Sequence, residues 1–202
     1  MRLIDQSCGF LWIPHNPLHL IEVAGRTCYK SEDRMDATSA EKFVRMILKS
    51  GHESVIEHVS ATVKFITNRG VTHEMVRHRI AAYSQESTRY VNYGGKDMEF
   101  IKPVWFDDCS MVERVSFKEA LRYAEDTYNN LLLLGWSPQK AREVLPNALK
   151  TEIVATYNMR TWRHVFKQRC SKAAHPQMRA LMKDCLTMFK KNIPVLFEDI
   201  NL

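Results

Sequence analysis

The chain lacks the sequence patterns that most often mark a nucleotide, metal or hydrolase site. Neither GxGxxG nor GxxxxGK[ST] occurs, so side-chain donors would have to hold any bound nucleotide. No HxxxH or HExxH pair falls within one predicted helix and no cysteines stand at zinc spacing, which disfavours a metal site. The GxSxG turn of serine hydrolases is missing as well.

Disulfide pairing and membrane insertion are also disfavoured. The five cysteines are widely scattered and form no CxxC pair, a pattern typical of reduced thiols in a cytosol. No apolar segment follows Asp5 as in a signal peptide, and no run reaches the roughly 18 apolar residues that a membrane span needs. We therefore expect a cytoplasmic protein without membrane association.

The composition is that of a globular protein with a basic surface. The 202 residues include 45% hydrophobic side chains but only seven glycines and seven prolines, which is ample material for a core. The 29 Lys plus Arg exceed the 23 Asp plus Glu and leave a net charge of +6. This surplus favours an anionic partner but does not identify it.

Local patterns predict more helix than strand. Alternation over 59–65 and 151–157 indicates half-buried strands, and a shorter strand is expected over 100–105. Apolar spacing and capping signals predict helices from about Pro17 to Tyr29, after Thr38, near Thr72, after Ser110, from Pro138, over 160–170 and from Pro176. Asn68-Arg69-Gly70 is expected to form a turn. We predict one α+β domain over residues 1–202, with helices packed on a small, mostly antiparallel sheet.

Residues 77–90, RHRIAAYSQESTRY, form the segment richest in anion donors. Arg77, Arg79 and Arg89 supply forked guanidinium groups that match the paired oxygens of a phosphate. The segment follows a predicted strand and short helix and is too polar to be core, so it belongs to the kind of loop that carries binding groups. The pattern predicts a phosphorylated ligand.

The predicted helix over 160–170 places an arginine on its apolar face. Trp162, Val165, Phe166 and Arg169 recur at spacings of three and four, so they share one side of the helix. A buried guanidinium needs a partner, which can be a protein carboxylate or an anionic ligand. An arginine that extends from the helix end to solvent is the remaining alternative.

The opposite face of this helix is basic. Arg160, Arg163, His164 and Lys167 could contact an extended anion such as a dinucleotide, or could simply be solvated. Two other functions compete with a nucleotide-binding enzyme. Tyrosines among the arginines could stack on bases in a nucleic-acid-binding module, and Ser87 or a histidine-bound metal could serve a phosphohydrolase.

A family resemblance favours the enzyme. Arg77-His78-Arg79, then seven residues, then Ser87-Thr88-Arg89-Tyr90 resembles the signature of the flavin-dependent thymidylate synthases. The likeness continues through 50–58 (SGHESVIEH), 145–147 (LPN), 158–160 (NMR) and 162–164 (WRH) to Arg169. It implies conversion of dUMP to dTMP, with methylenetetrahydrofolate giving the carbon, reduced FAD giving a hydride and NADPH reducing the flavin.

The resemblance also implies which residues form the site. Flavin contacts are expected from Ser54, Arg77, His78, Arg79, Gln85, Asn158, Arg160 and His164. Contacts to dUMP are expected from Glu74, Arg77, Gln85, Glu86, Ser87, Thr88, Arg89 and Arg169. No metal and no nucleic acid are expected, and the family implies a homotetramer with active sites shared between subunits.

The same resemblance implies roles for Arg169 and Ser87, and it identifies two positions at which this sequence differs from some relatives. Arg169 is expected to stabilise an electron-rich, enolate-like uracil, while Ser87 binds substrate because no base is evident to activate it. The Pro-Cys dipeptide of the cysteine-nucleophile synthases does not occur. Glu152 and Glu74 stand where some relatives carry arginine and glutamine, so contacts to dUMP there are expected to differ.

Overall fold

The computed structural model describes residues 1–201, which form six strands and eight helices together with short 3-10 turns. The strands are β1 (Arg2–Ile4), β2 (Ser7–Trp12), β3 (Ser60–Asn68), β4 (Ala82–Gln85), β5 (Glu99–Ile101) and β6 (Lys150–Asn158). The helices are α1 (Pro17–Thr27), α2 (Ser39–Lys49), α3 (Arg69–Met75), α4 (Met111–Leu133), α5 (Pro138–Ala141), α6 (Met159–Arg169), α7 (Pro176–Asn192) and α8 (Pro194–Phe197). None of these helices is both long enough and apolar enough to cross a bilayer.

The strands form one small sheet and one separate pair. Strand order in the four-stranded sheet is β2-β3-β6-β4, and β1 pairs with β5 in parallel. The neighbours β3 and β6 run antiparallel. Thr62 of β3 faces Thr156 of β6, and the amide of Met159, just after the end of β6, donates to the carbonyl of Val59, just before the start of β3. The predicted fold class, helices with a small antiparallel sheet, is confirmed.

Strands β3 and β6 share one construction. Each alternates buried and half-buried positions over nine residues, as the period-two pattern predicted. Each ends in an asparagine that caps the following helix: Asn68 Oδ1 accepts from the Val71 amide at 2.8 Å, and Asn158 Oδ1 from the Thr161 amide at 2.9 Å. The predicted turn at 68–70 is therefore wrong, since the strand leads directly into α3.

The chain divides into two compact units. The first unit contains residues 1–7, 65–77 and 84–153, and the second contains 8–64, 78–83 and 154 onward. The core of the first unit gathers Phe100, Leu121 and Tyr128 with neighbouring apolar side chains. The expectation of a single domain over 1–202 stays a prediction.

The core of the second unit is an aromatic cluster on one side of α6 and α7. Trp162 stacks on Phe166 with ring centroids 5.5 Å apart, and Phe189 contacts both rings from α7 at 4.9 and 5.2 Å. Phe10 of β2 and Phe197 of α8 pack on Phe189 at 4.7 and 4.9 Å. The apolar face predicted for α6 is confirmed by this packing.

Several local predictions need correction. Thr38 does not cap α2 through its side chain; Ser39 Oγ and Asp36 instead organise the preceding turn. The strand predicted over 100–105 covers only Glu99–Ile101, because Pro103 follows closely and removes an amide donor. The capping box of Ser110 and Glu113 is confirmed. Strands β1 and β2 were not predicted, because helical signals dominated that quarter of the sequence, and β4 lies within the segment 77–90 that was expected to be a loop.

Arg163 is buried, so the basic face predicted for α6 is partly wrong. Its guanidinium is 2% exposed and forms a fork with Asp199, whose two carboxylate oxygens lie at 2.7 and 2.6 Å. Arg163 also donates to the Leu196 carbonyl, which holds the chain end against α6. Hydrogen bonds from Arg163 lower the pKa of the Asp199 carboxyl.

Phe189→Ala tests the aromatic core. Because Phe189 is fully buried and contacts four other rings, we expect the free energy of unfolding to fall by about 3–5 kcal/mol. Tyr29→Ala removes a mostly exposed aromatic ring just after α1 and is the control, with little expected change in the flavin-free protein. Urea unfolding measures the free energy of unfolding of both variants. Equal decreases in the two variants would contradict the assigned core.

Asp199→Asn tests the Arg163 fork through its pH dependence. A carboxylate with a lowered pKa adds stability above its ordinary pKa of about 3.9, and this stability is lost as the pH falls through the lowered value. We expect a loss of about 1–2 kcal/mol at pH 7, discounted because Asp199 is half exposed. The gap between the two proteins should shrink as the pH falls through this lowered pKa. A gap that is constant with pH would refute the ion pair's contribution.

Candidate functional site

A hydrogen bond in the second unit joins the RHR segment to the end of α6. Arg169 Nε donates to His78 Nε2 at 2.9 Å, although the two residues lie 91 positions apart. His78 is buried and Arg169 is half buried. Since Nε2 accepts this bond, it carries no proton, and the neutral imidazole holds its proton on Nδ1. Two residues predicted from separate motifs therefore meet.

His164, which precedes Arg169 on α6, also contacts His78. Its ring lies edge-on to the His78 ring, with centroids 6.1 Å apart and planes at 73°. The main chain of His78 is also held, because Tyr83 Oη donates to its carbonyl oxygen at 2.7 Å. Arg79 is exposed and forms no ion pair within residues 1–201. Within this unit, His78 thus offers a fixed imidazole and Arg79 an available guanidinium.

The other flavin residues predicted in this unit lie around the 3-10 turn Glu53–His58. Ser54 is exposed on that turn, and Asn158 uses its side-chain oxygen as the cap of α6. Arg160 is exposed but already paired, with Glu57 at 2.6 Å and Glu53 at 3.7 Å. An anionic ligand at Arg160 would have to compete with these carboxylates.

A cavity of about 650 Å³ in the same unit was not predicted from the sequence. It combines cationic side chains with aromatic and apolar ones, and its lining includes Arg26, Tyr29, Ser31, Arg34, Lys42, Phe43, Met46 and His52. Among the described residues, Arg34 and Lys42 have no carboxylate partner within ion-pair distance. The Asp36 carboxylate also lines the cavity and interacts with Lys42, so an aromatic anion such as a flavin nucleotide would meet the cationic groups on the Arg26 to Arg34 side. The basic and aromatic residues from Arg26 to Arg34 were the available signal in the sequence.

In the first unit, Gln85 lies at the end of β4 inside a polar network. Its side-chain nitrogen donates to Thr72 Oγ1 at 2.9 Å and to Thr151 Oγ1 at 3.3 Å. Both threonines are fully buried, so the amide is fixed in orientation. Gln85 therefore has a structural role in addition to any contact with a ligand.

Glu86 belongs to a half-buried charge cluster that also contains Glu152, the residue that stands where some relatives carry arginine. Lys150 Nζ lies 3.2 Å from a Glu86 oxygen and 2.7 Å from a Glu152 oxygen, and Tyr93 Oη donates to Glu86 at 2.8 Å. Burial alone would lower the pKa of Lys150, but Glu152 and Glu86 raise it above the ordinary lysine value. The Glu152 carboxylate is thus balanced by a lysine of its own strand.

The remaining predicted substrate residues of this unit differ in exposure. Thr88 is buried, Ser87 accepts from the Arg89 amide at 3.3 Å, and Glu74 is half buried on α3. Arg89 is exposed and donates from Nε to Gln139 at 3.2 Å. Arg77 is exposed and is not ion-paired within residues 1–201.

Arg69 is a candidate that sequence reasoning missed. It begins α3, and its Nη1 is buried without a hydrogen-bond partner among the described residues. An unsatisfied buried donor of this kind is costly and suits an anion. No group of three or more His, Cys, Asp or Glu side chains is placed to hold a metal ion within residues 1–201.

Comparison with known proteins gives consistent matches across nearly the whole chain. Residues 7–195 match the family described as thymidylate synthase complementing protein. The flavin-dependent thymidylate synthase of Geobacter sulfurreducens is 35% identical, with 91% of this chain and 82% of the relative covered. That of Mycolicibacterium vanbaalenii is 37% identical, with 91% and 79% covered.

A solved structure has the same fold. The UMP/dUMP methylase PolB from Streptomyces cacaoi, bound with 5-Br dUMP, superposes with a TM-score of 0.84 at 25% identity. The match covers 98% of this chain and 96% of that protein. The RHR signature, the family match over residues 7–195 and the shared fold agree: the chain belongs to the flavin-dependent thymidylate synthases, a family of methyltransferase enzymes.

Proposed function

We propose that this protein converts dUMP to dTMP. Methylenetetrahydrofolate supplies the carbon and reduced FAD the hydride, and NADPH re-reduces the flavin. The observation that carries the proposal is the hydrogen bond from Arg169 to His78, which brings the end of α6 to the RHR segment. The relatives named for this reaction and the nucleotide-bound methylase support the same substrate.

Arg169 is proposed to activate the uracil ring. A guanidinium beside the base stabilises the negative charge that builds up on its oxygens, and so raises the electron density at the ring carbon that attacks the methylene group. The half-buried position strengthens this effect, because charges interact more strongly away from bulk water. The neutral His78 ring sets the direction of the guanidinium by accepting from its Nε.

No cysteine is needed as a nucleophile in this scheme. Cys170, the neighbour of Arg169, is buried, and burial raises the pKa of its thiol to about 11. A thiol with that pKa is almost entirely protonated near neutrality and is a poor nucleophile. The chemistry is therefore assigned to charge stabilisation and orientation.

Side chains of the first unit are assigned to the nucleotide. Ser87, Thr88 and Arg89 are proposed to take the phosphate of dUMP, with the fork of Arg89 matching two phosphate oxygens. Glu74, Arg77, Gln85 and Glu86 are proposed to line the same ligand. Arg69, with its unsatisfied buried donor, is added as a further candidate for an anionic group.

The flavin is assigned to the residues that the family resemblance indicates. Arg77, His78, Arg79 and His164 would hold it, with Ser54, Gln85, Asn158 and Arg160, and the 650 Å³ cavity of the second unit offers room for an aromatic anion. When bound, the flavin supplies the hydride. The protein's contribution is to orient and desolvate the reacting groups.

A cytoplasmic homotetramer with shared active sites is part of the proposal. Helix α4 exposes apolar side chains that a monomer would leave in water, including Met111 at 79% and Val112 at 74%. Exposed apolar patches of this kind mark interaction surfaces. Burial of this face between copies of the chain would account for them.

The reaction is tested by adding FAD and NADPH to the purified protein. We expect a yellow protein whose NADPH oxidation rises with dUMP, and dTMP formation once methylenetetrahydrofolate is present. NADPH oxidation that does not increase with dUMP, together with no formation of dTMP, would overturn the proposal. Salt-sensitive oligonucleotide binding without flavin would point to a nucleic-acid module, and phosphate release from dUMP to a phosphohydrolase.

Arg169→Ala and Arg79→Ala separate the uracil role from the flavin role. We expect Arg169→Ala to lose at least about a hundredfold in turnover while it keeps FAD, because charge stabilisation in the transition state is lost. Arg79→Ala should lose FAD affinity and recover turnover when FAD is in excess. Arg45→Ala, which removes an exposed arginine on α2, is the control. Reversed outcomes for the two variants would contradict the assignment.

A further inference from the structure

A strained loop precedes the substrate segment in the second unit. Ile80 has a backbone φ of +63°, and its side chain is 83% exposed. A β-branched residue in the left-handed region is a steric outlier that persists only when its surroundings impose it. The neighbours of this loop should therefore contain the group that holds it.

Two tyrosines supply that group. Tyr83 Oη donates to the His78 carbonyl at 2.7 Å, which closes the loop from residue 78 to residue 83 across Ile80. Tyr83 Oη also lies 2.8 Å from Tyr157 Oη, and the two rings meet edge-to-face with centroids 5.8 Å apart. Tyr157 is 1% exposed on β6, so this hydroxyl contact anchors the loop in the core.

The hydroxyls form a directional chain. The Tyr83 hydroxyl has one proton and donates it to the His78 carbonyl. The hydrogen bond between the two tyrosine hydroxyls is therefore donated by Tyr157 and accepted by Tyr83. Burial raises the pKa of both hydroxyls, which keeps them protonated as this order requires. The chain runs from Tyr157 through Tyr83 to the carbonyl of His78, whose ring accepts from Arg169.

We propose that Tyr83 and Tyr157 are positioning residues that act in series on His78 and through it on Arg169. They hold the loop in its strained form and so fix the ring that orients the arginine. The inference rests on the proposed function for its catalytic consequence, but the loop restraint itself does not.

Tyr83→Phe, Tyr157→Phe and the double variant test the series. We expect Tyr83→Phe to lower turnover per bound flavin roughly tenfold, with a smaller change in the KM for dUMP, because a small misplacement costs rate more than binding. Tyr157→Phe should lose less, and the double variant should match Tyr83→Phe alone. Multiplied losses, or a Tyr83→Phe rate within about twofold of the unchanged protein, would overturn the proposal.

Hydrogen–deuterium exchange gives a readout that needs no activity. Peptides covering residues 77–83 should exchange faster in Tyr83→Phe and, to a lesser degree, in Tyr157→Phe. Tyr128→Phe, which removes a fully buried tyrosine hydroxyl in the first unit, is the control and should leave these peptides unchanged. Unchanged exchange in both test variants would refute the restraint. If the unaltered protein makes no dTMP, the proposed function fails while this measurement still decides the inference.

Discussion

The hydrogen bond from Arg169 to His78 is the contact on which the proposed site depends. It joins a loop to the end of a helix whose other side is packed into an aromatic core. Trp162 and Phe166 fix the rotation of α6, and this rotation points Arg169 toward the RHR segment. Stability and function are therefore linked, because the side chains that bury α6 also set the position of the arginine.

The second unit restrains α6 at its first turn and at its middle. Asn158 caps its first turn, and the buried fork of Arg163 with Asp199 ties its middle to the chain end. Two carboxylate oxygens and a carbonyl offset part of the cost of burying Arg163, while its Nε has no hydrogen-bond partner among the described residues. A helix held in this way can present a half-buried charge with little conformational freedom, which is the preorganisation that electrostatic catalysis requires.

The sequence predicted those features that depend on local periodicity. Strands β3 and β6 and the face shared by Trp162, Phe166 and Arg169 follow from spacing alone. Features that depend on a distant partner were missed. Arg163 resembled a solvated cation because Asp199 lies 36 residues later, and the cavity beside α1 and α2 has no motif of its own. The left-handed Ile80 could not be predicted, because no glycine marks the position.

The central claim is that Arg169 faces the uracil ring, and the position of that ring tests it most directly. A crystal structure of the flavin-loaded protein with 5-bromo-dUMP would locate the reacting carbon through the anomalous signal of bromine. We expect a bromine peak beside the Arg169 guanidinium, with a uracil oxygen within hydrogen-bonding distance of it. A uracil ring bound out of reach of the Arg169 guanidinium would contradict the proposed role.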